Sequence, residues 1–392
     1  MVRGDTMIYL DNAATTKVAP KVIEDITEAL HWYGNPSSAH EMGYKARQIV
    51  EDARKKIADS INAEPEEIIF TSGGSEANNM ALKGIVEMYG IDSILTTEIE
   101  HPSILKTVQY LTFGSSFDMV DDKTYIPVDS TGRIDLKAFN DILEKRYRCY
   151  CGANLITVSM VNNEIGTIQP IKEIVEILHN YTGFIHVDAV QAFPHMKIDV
   201  KELGIDTMAV SGHKFGCPKG VGFLYKRKGL DLEPLIHGGH QENGLRAGTE
   251  NLPYIYAMGN QVERLIYDDK KAIGAEALWK TLENLCGTHC ELQLNGTQDF
   301  YNRIDRILNI TFKKINADVL ITLLSDRGIC VSAGAACCSG EKTPSKVLKA
   351  IGLSDEDAFS TIRISWENNI EYEFLIRFAH ILADCLNMCL LV

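Results

Sequence analysis

The pattern of apolar positions divides the chain into alternating short runs and longer periodic stretches. Residues 44–61 (YKARQIVEDARKKIADSI) set Ala46, Ile49, Val50, Ala53, Ile57 and Ile61 on one face at helical spacing, which predicts an amphipathic helix. Short β-branched runs bounded by Gly, Asp or Ser follow: EIIFTS at 67, SILTTE at 93, LITVSM at 155, FIHVDA at 184, TMAVSG at 207 and VGFLY at 221. Continuous apolar runs of that length predict strands buried on both faces.

Helical patterns lie between them, such as EANNMALKGIVEMYG and IKEIVEILHNYTG. This alternation predicts an α/β fold with a large, mostly parallel sheet and right-handed crossovers. Beyond about residue 260 the order changes to a long helical stretch, RILNITFK, ADVLITLLSDRG, ICVSAGAACCSG, TIRISWE and a closing helix. That segment reads as a smaller α+β domain, with neither an internal repeat nor a low-complexity linker before it.

Composition narrows the function classes. The 392 residues carry 39 basic and 53 acidic side chains, a net charge of −14, and 45% are hydrophobic. A core of good size is expected, and a protein that grips nucleic acid directly by neutralising phosphates is disfavoured. No apolar stretch reaches the roughly 20 residues of a membrane span. The opening MVRGDTMIYLDNAATT has no room for a signal h-region before the strand-like run at Ile8, so a cytoplasmic protein is expected, with Met7 an alternative start. Ten cysteines are many, but in a cytosolic chain they read as small packing residues with one or two reactive thiols, and their spacings suit neither a disulfide framework nor a metal site.

Chemistry is expected at the carboxyl ends of the strands, where open parallel sheets bind ligands. After EIIF come Thr71, Ser72, Gly73, Gly74, Ser75 and Glu76 and then a helix, which offers free N–H groups to an anion, although the segment alone also reads as a glycine turn with a serine cap. Asp188 ends the FIHVDA strand, where a lone carboxylate needs a cation or donor. The next strand runs into Ser211, Gly212, His213 and Lys214. An Asp for a ring nitrogen and a Lys for a Schiff base are the two protein groups that a pyridoxal phosphate site requires.

At this point the chain resembles the cysteine desulfurases of the NifS and IscS type, within the class V aminotransferase group. The resemblance is carried along nearly the whole chain by YLDNAATT at 9, YGNPSSAH at 33, FTSGGSEANN at 70, EHPS at 100, VNNEIG at 161, HVDAVQ at 186, SGHKFGCPKG at 211, LRAGT at 245, VSAGAACCSG at 331 and TIRIS at 361. It implies a fold-type I pyridoxal phosphate enzyme with a seven-stranded type of sheet. Residues 16–259 would form the large domain, and 1–15 with 260–392 the small one.

The resemblance also implies roles. Lys214 would hold pyridoxal 5'-phosphate and then move the substrate α-proton. Asp188 would keep the ring nitrogen protonated, Asn163 and Gln191 would bond the phenolic side, and His101 would stack on the ring and relay protons. Gly74, Ser75, Ser211, His213 and Thr249 would receive the phosphate, Thr249 coming from the partner of a homodimer. Arg363, assisted by Asn35, would grip the carboxylate of L-cysteine with its planar fork. Cys337 would take the substrate sulfur, leave L-alanine, and pass a persulfide to a sulfur-acceptor protein in iron–sulfur assembly, tRNA thiolation or DNA sulfuration.

The sequence departs from the pattern in three ways. HGGHQE carries His240 where a third glycine is usual, Cys338 follows the nucleophile position where Ser or Thr is common, and the chain ends 27 residues after TIRIS, which puts docking of an iron–sulfur scaffold through a longer tail in doubt. Two rival readings remain: a related lyase or aminotransferase on the same scaffold, and a degenerate sulfur-carrier subunit.

Overall fold

A computed structural model describes residues 7–113, 125–149, 152–266, 274–333, 335–338, 341–367 and 370–389. The chain starts with a two-residue strand, β1 (Ile8–Tyr9), followed by helices α1 (Pro20–Ala29) and α2 (Glu41–Ser60). Then come β2 (Ile68–Thr71), α3 (Gly74–Tyr89), β3 (Ser93–Leu95), α4 (Pro102–Phe113), α5 (Leu136–Cys149), β4 (Asn154–Ser159), α6 (Ile171–Leu178), β5 (Gly183–Asp188), α7 (Val200–Leu203), β6 (Thr207–Ser211) and β7 (Gly222–Lys226). All six apolar runs are strands.

These strands form one sheet in the order β2-β7-β6-β5-β4-β3. β3 to β6 are parallel, and β7 is antiparallel to both β6 and β2, so five strands share one direction and β7 alone is reversed. Six strands are seen among the described residues, and beyond the β3 edge a single parallel bridge from Thr96 to Tyr125 stands where a seventh would run. Helix α3 links the two outermost strands. The ends of β2, β4, β5 and β6 therefore converge on one edge at Thr71, Ser159, Asp188 and Ser211.

Period-two alternation supplies both faces of the sheet. Ile156, Val158, Ile185, Val187, Met208, Val210, Phe223 and Tyr225 pack with α2, α5 and α6, and with helix α8 (Leu252–Ile266). Leu155, Ala209 and Leu224 face the other way, toward α3 and α4. Burial on both faces is what the unbroken apolar runs require.

The remaining elements are α9 (Ala275–Cys286), β8 (Leu292–Leu294), β9 (Ile307–Phe312), α10 (Ala317–Ser325), β10 (Ile329–Cys330), β11 (Ser332–Ala333), β12 (Ala335–Cys338), β13 (Glu341–Pro344), α11 (Lys346–Ala350), α12 (Asp355–Phe359), β14 (Thr361–Ser365) and α13 (Tyr372–Cys389). An antiparallel sheet, β11-β14-β9-β8, packs with α9, α10 and α13 around a second core that also takes Ile8 and Leu10. β1 pairs with β10, and Asp11 bridges to Ser365, so the start of the chain lies along the end of β14. Among the described residues, no helix is long and apolar enough to cross a membrane.

Candidate active site

The convergent strand ends open onto a cavity of about 600 Å³. Its walls include Gly74, Ser75, His101, Asn163, Asp188, Gln191, Ser211, His213, Lys214 and Arg363, ten positions singled out in the sequence. Two further ones do not line it. Asn35 is exposed and accepts the Ser37 N–H at 2.9 Å within its own turn, and Thr249 is exposed.

One end of the cavity is built for an anion. Gly73 has φ 149°, a conformation open to glycine, and α3 begins without a side-chain cap, so its first N–H groups are free to meet a ligand. The backbone must come close here: a Cβ on Gly74 would lie 2.6 Å from Val190 Cγ2, and one on Gly222 would lie 2.8 Å from the Gly73 Cα. Ser211 borders this end. Burial, with Lys214 and Lys219 nearby, pushes His213 down to about 4, so its ring is neutral and hydrogen-bonds rather than adding charge. The Arg246–Glu76 ion pair (2.8 Å) ties the first turn of α3 to the LRAGT segment.

Asp188 is held by a chain of buried side chains. Its Oδ1 accepts the Val190 N–H (2.9 Å) and its Oδ2 accepts Asn78 Nδ2 (2.9 Å). Since that amide nitrogen faces the carboxylate, Asn78 Oδ1 faces His186 Nε2 (2.9 Å), which must donate; His186 Nδ1 then accepts from the Thr207 hydroxyl (2.9 Å). Complete burial pushes His186 down to about 3, which keeps it neutral as this chain demands.

Asn78 also fixes the imidazole of His101. Its Nδ2 donates to Ser103 Oγ (2.8 Å), while Ser103 Oγ lies 2.7 Å and Ser103 N lies 3.1 Å from His101 Nδ1. Nδ1 is therefore the acceptor, and in the neutral ring Nε2 carries the proton. Removal from water lowers the His101 pKa, Asp188 opposes that shift, and Lys214 reinforces it. The loop before it is pinned by buried Glu100, which accepts from Thr97 Oγ1 (2.7 Å) and from Ser159 N (2.7 Å), with a carboxyl pushed up to about 7 by burial.

Lys214 stands between these ends. Its Nζ donates to the carbonyls of Ala13 (2.6 Å) and Ala14 (2.9 Å), and burial with Arg363 nearby lowers its pKa to about 8. Gln191 Nε2 also donates to Ala13 O (2.8 Å). Arg363, at the centre of β14, donates to Asn163 O (2.9 Å) and to Asp11 Oδ1 (2.8 Å), whereas its buried Nε has no partner among the described residues. Ser332 Oγ donates to the same Asp11 oxygen at 2.7 Å, so Asp11 aims the guanidinium into the cavity.

Cys337 lies on the hairpin β12–β13, where it pairs with Lys342, and Cys338 pairs with Glu341. The side chains of both cysteines lie outside the described residues. The described free cysteines at 217, 286, 290, 330, 385 and 389 are buried or half-buried, and burial raises each thiol, to about 12 at Cys286 and about 11 at Cys290. These are packing residues, protonated at neutral pH.

Asp11, Asn78, Glu100, Ser103 and His186 were not singled out by sequence reasoning, although Asp11, Asn78, Glu100, Ser103 and His186 all lie inside recognised motifs. The residues present fit pyridoxal phosphate. An uncapped helix start in a glycine cradle suits a phosphate, a buried carboxylate at the far end suits a protonated ring nitrogen, and a lysine stands between.

Comparison with known proteins agrees. The aminotransferase class-V family model matches residues 8–374. A cysteine desulfurase IscS of Dictyoglomus turgidum is 40% identical over 363 residues, covering 91% of this chain and 89% of that protein. Among solved structures, a NifS-like protein superposes with TM-score 0.86 at 33% identity, covering 97% of this chain and 100% of the other. The structure of SspA in complex with cysteine gives TM-score 0.77 at 36% identity, covering 91% and 98%. The chain thus belongs to the aminotransferase class-V family, among its pyridoxal phosphate-dependent cysteine desulfurases.

Proposed function

We propose that the protein moves the sulfur of L-cysteine onto Cys337 and releases L-alanine, the cavity at the sheet edge holding cofactor and substrate. The observation that carries this is the convergence of Lys214, Asp188, His101 and Arg363 on one cavity beside an uncapped helix start. The similarity to SspA, whose structure is in complex with cysteine, supports the substrate.

Pyridoxal phosphate, when bound, supplies the electron sink that makes the substrate α-proton removable and the Cβ–S bond breakable. The chain's own groups do the rest. Gly74 and Ser75 N–H, with Ser75, Ser211 and His213 side chains, hold the phosphate. Asp188 would keep a proton on the ring nitrogen and Asn163 and Gln191 would bond the phenolic side, while the Asn78–His186–Thr207 chain keeps Asp188 oriented. Lys214 would anchor the cofactor, and its lowered pKa suits its amine to take the substrate α-proton. His101, with Nδ1 occupied, offers Nε2–H to the cavity for stacking and proton relay. Arg363 has donors to spare for the substrate carboxylate.

The Cys337 sulfur then bonds to the substrate sulfur as the Cβ–S bond breaks, and Cβ gains a proton. L-cysteine and one thiol become L-alanine and one persulfide. The active unit is a homodimer in which exposed Thr249 serves across the subunit interface, Asn35 assists Arg363, and the persulfide passes to an acceptor protein in the cytoplasm, in iron–sulfur assembly, tRNA thiolation or DNA sulfuration. Residues 16–259 form the larger unit and 1–15 with 260–392 the smaller, a division favoured by Ile8 and Leu10 in the second core, although α8 carries the first core on to Val262.

The test is incubation of the holoenzyme with L-cysteine and a reductant. Alanine is expected in step with sulfide, and Cys337→Ser abolishes both. Alanine formation unchanged by Cys337→Ser contradicts the nucleophile assignment, and keto-acid formation favours a transaminase.

A further inference from the structure

Behind Lys214 lies a second cavity of about 300 Å³, at the seam between the two cores. Lys214 lines both cavities. The rear one also has Arg306 from the start of β9, Glu367 from beyond β14, Gln261 from α8, His195, and apolar walls from Pro20, Phe215 and Leu265.

Its charges act on one another across the cavity, yet none is in ion-pair contact among the described residues. Arg306 is only 4% exposed, yet its one side-chain contact is Nη1 against His195 Nε2, and no carboxylate among the described residues pairs with it. A buried guanidinium is costly without a carboxylate in contact, and the charge that Arg306 feels is that of Glu367 on the same cavity, beyond ion-pair distance, so Arg306 is placed to receive a negative group directly. The carboxylate of Glu367, half-buried on the same cavity, forms no ion-pair contact or hydrogen bond among the described residues, although the charges of Arg306 and of Lys17, which also lines the cavity, act on it. Gln261 donates its Nε2–H to Phe215 O (3.2 Å), and its amide oxygen accepts from no described residue. The walls thus offer a fork of donors on one side and two acceptors, one of them charged, on another.

Opposite charges that face one small cavity and feel each other across it without contact complement a molecule with its own carboxylate and ammonium ends. We propose that the rear cavity is a second ligand site for a small zwitterion of the α-amino acid class, its carboxylate on Arg306 and its ammonium on Glu367 and the Gln261 oxygen. Such a ligand is well placed to act on the reaction. His195 Nε2 lies 3.3 Å from the Lys214 carbonyl, and the Arg306 charge is among those that lower the Lys214 pKa, so an occupant that neutralises Arg306 raises it. The site also lies where the two proposed units meet, since Arg306, Glu367 and Gln261 belong to the smaller and His195 and Phe215 to the larger.

The test is calorimetric titration of L-alanine into the holoenzyme, with wild type, Glu367→Gln and Arg306→Gln compared. Two sites per chain are expected. Glu367→Gln, a change of equal size on a half-buried side chain, weakens one of them at least about tenfold and leaves the other unchanged; Arg306→Gln weakens the same one. One site per chain in the wild-type protein, or two sites indifferent to Glu367→Gln, overturns the proposal. Acetate displacing alanine from the rear site as effectively as glycine does also overturns it, because the ammonium end then contributes nothing.

Discussion

The sheet edge and the cysteine hairpin are built in opposite ways. At the edge Asp188 is tied on both sides: both its oxygens accept hydrogen bonds, and Asn78 and His186 pass the constraint on to Thr207 in the next strand. Among the described residues, the hairpin β12–β13 pairs only with itself and belongs to neither of the larger sheets. The edge must keep a charge at a fixed point in a dry site, which a satisfied network does well. A sulfur that has to meet substrate and then an acceptor is better carried on a segment apart from the packed sheets. The remaining described cysteines make the same contrast, since burial keeps their thiols protonated and out of the reaction.

Removing the group that serves the fixed edge most directly should have the largest effect. Lys214→Ala is expected to lower alanine formation by roughly 10⁴-fold, measured under single turnover, because general-base help is lost along with cofactor anchoring; a loss under tenfold would break the distinction. Cys337→Ser is expected to lower it by about 10³-fold or more while cofactor absorbance is unchanged, as none of the residues proposed to hold the cofactor lies on the hairpin. Asn78→Ala removes one hydrogen bond to a charged oxygen and unties His101, for a loss of about 10- to 100-fold in kcat with little change in KM. Asp11→Asn leaves Arg363 less well aimed, so KM for L-cysteine should rise about tenfold while kcat holds within about twofold.

The edge network also has a pH signature. His186 is held near 3 in the folded protein, below its ordinary 6.5. A depressed histidine pKa means that the unfolded chain binds the proton first, so stability is full above about 6.5 and falls as pH drops from there toward 3. Denaturant midpoints between pH 7 and 4 should decline, and His186→Gln should flatten the slope.

Much of this was legible in the sequence. The six strand runs, the helix at 44–61 and the ten cavity residues were all marked by apolar pattern or motif, because a strand buried on both faces and an anion-binding helix start leave local signatures. The partners of those residues were harder to see. Asp11 meets Arg363 only because β1 lies along β10 and the chain after it bridges to Ser365, a contact between residues more than 350 positions apart that no local pattern encodes. Asn78 sits four residues into α3 and reads as an ordinary helical position until the strand ends bring Asp188 and His186 beneath it. The reversed direction of β7 was equally invisible, since an apolar run has no polarity of its own.

The most direct test of the account is to locate the transferred sulfur. Holoenzyme mixed with one equivalent of L-cysteine without reductant, alkylated and digested, should show one added sulfur atom on the peptide's Cys337, retained in Cys338→Ser and absent in Lys214→Ala. A persulfide found instead on Cys338, or on any of the buried cysteines, in protein that still forms alanine would contradict it.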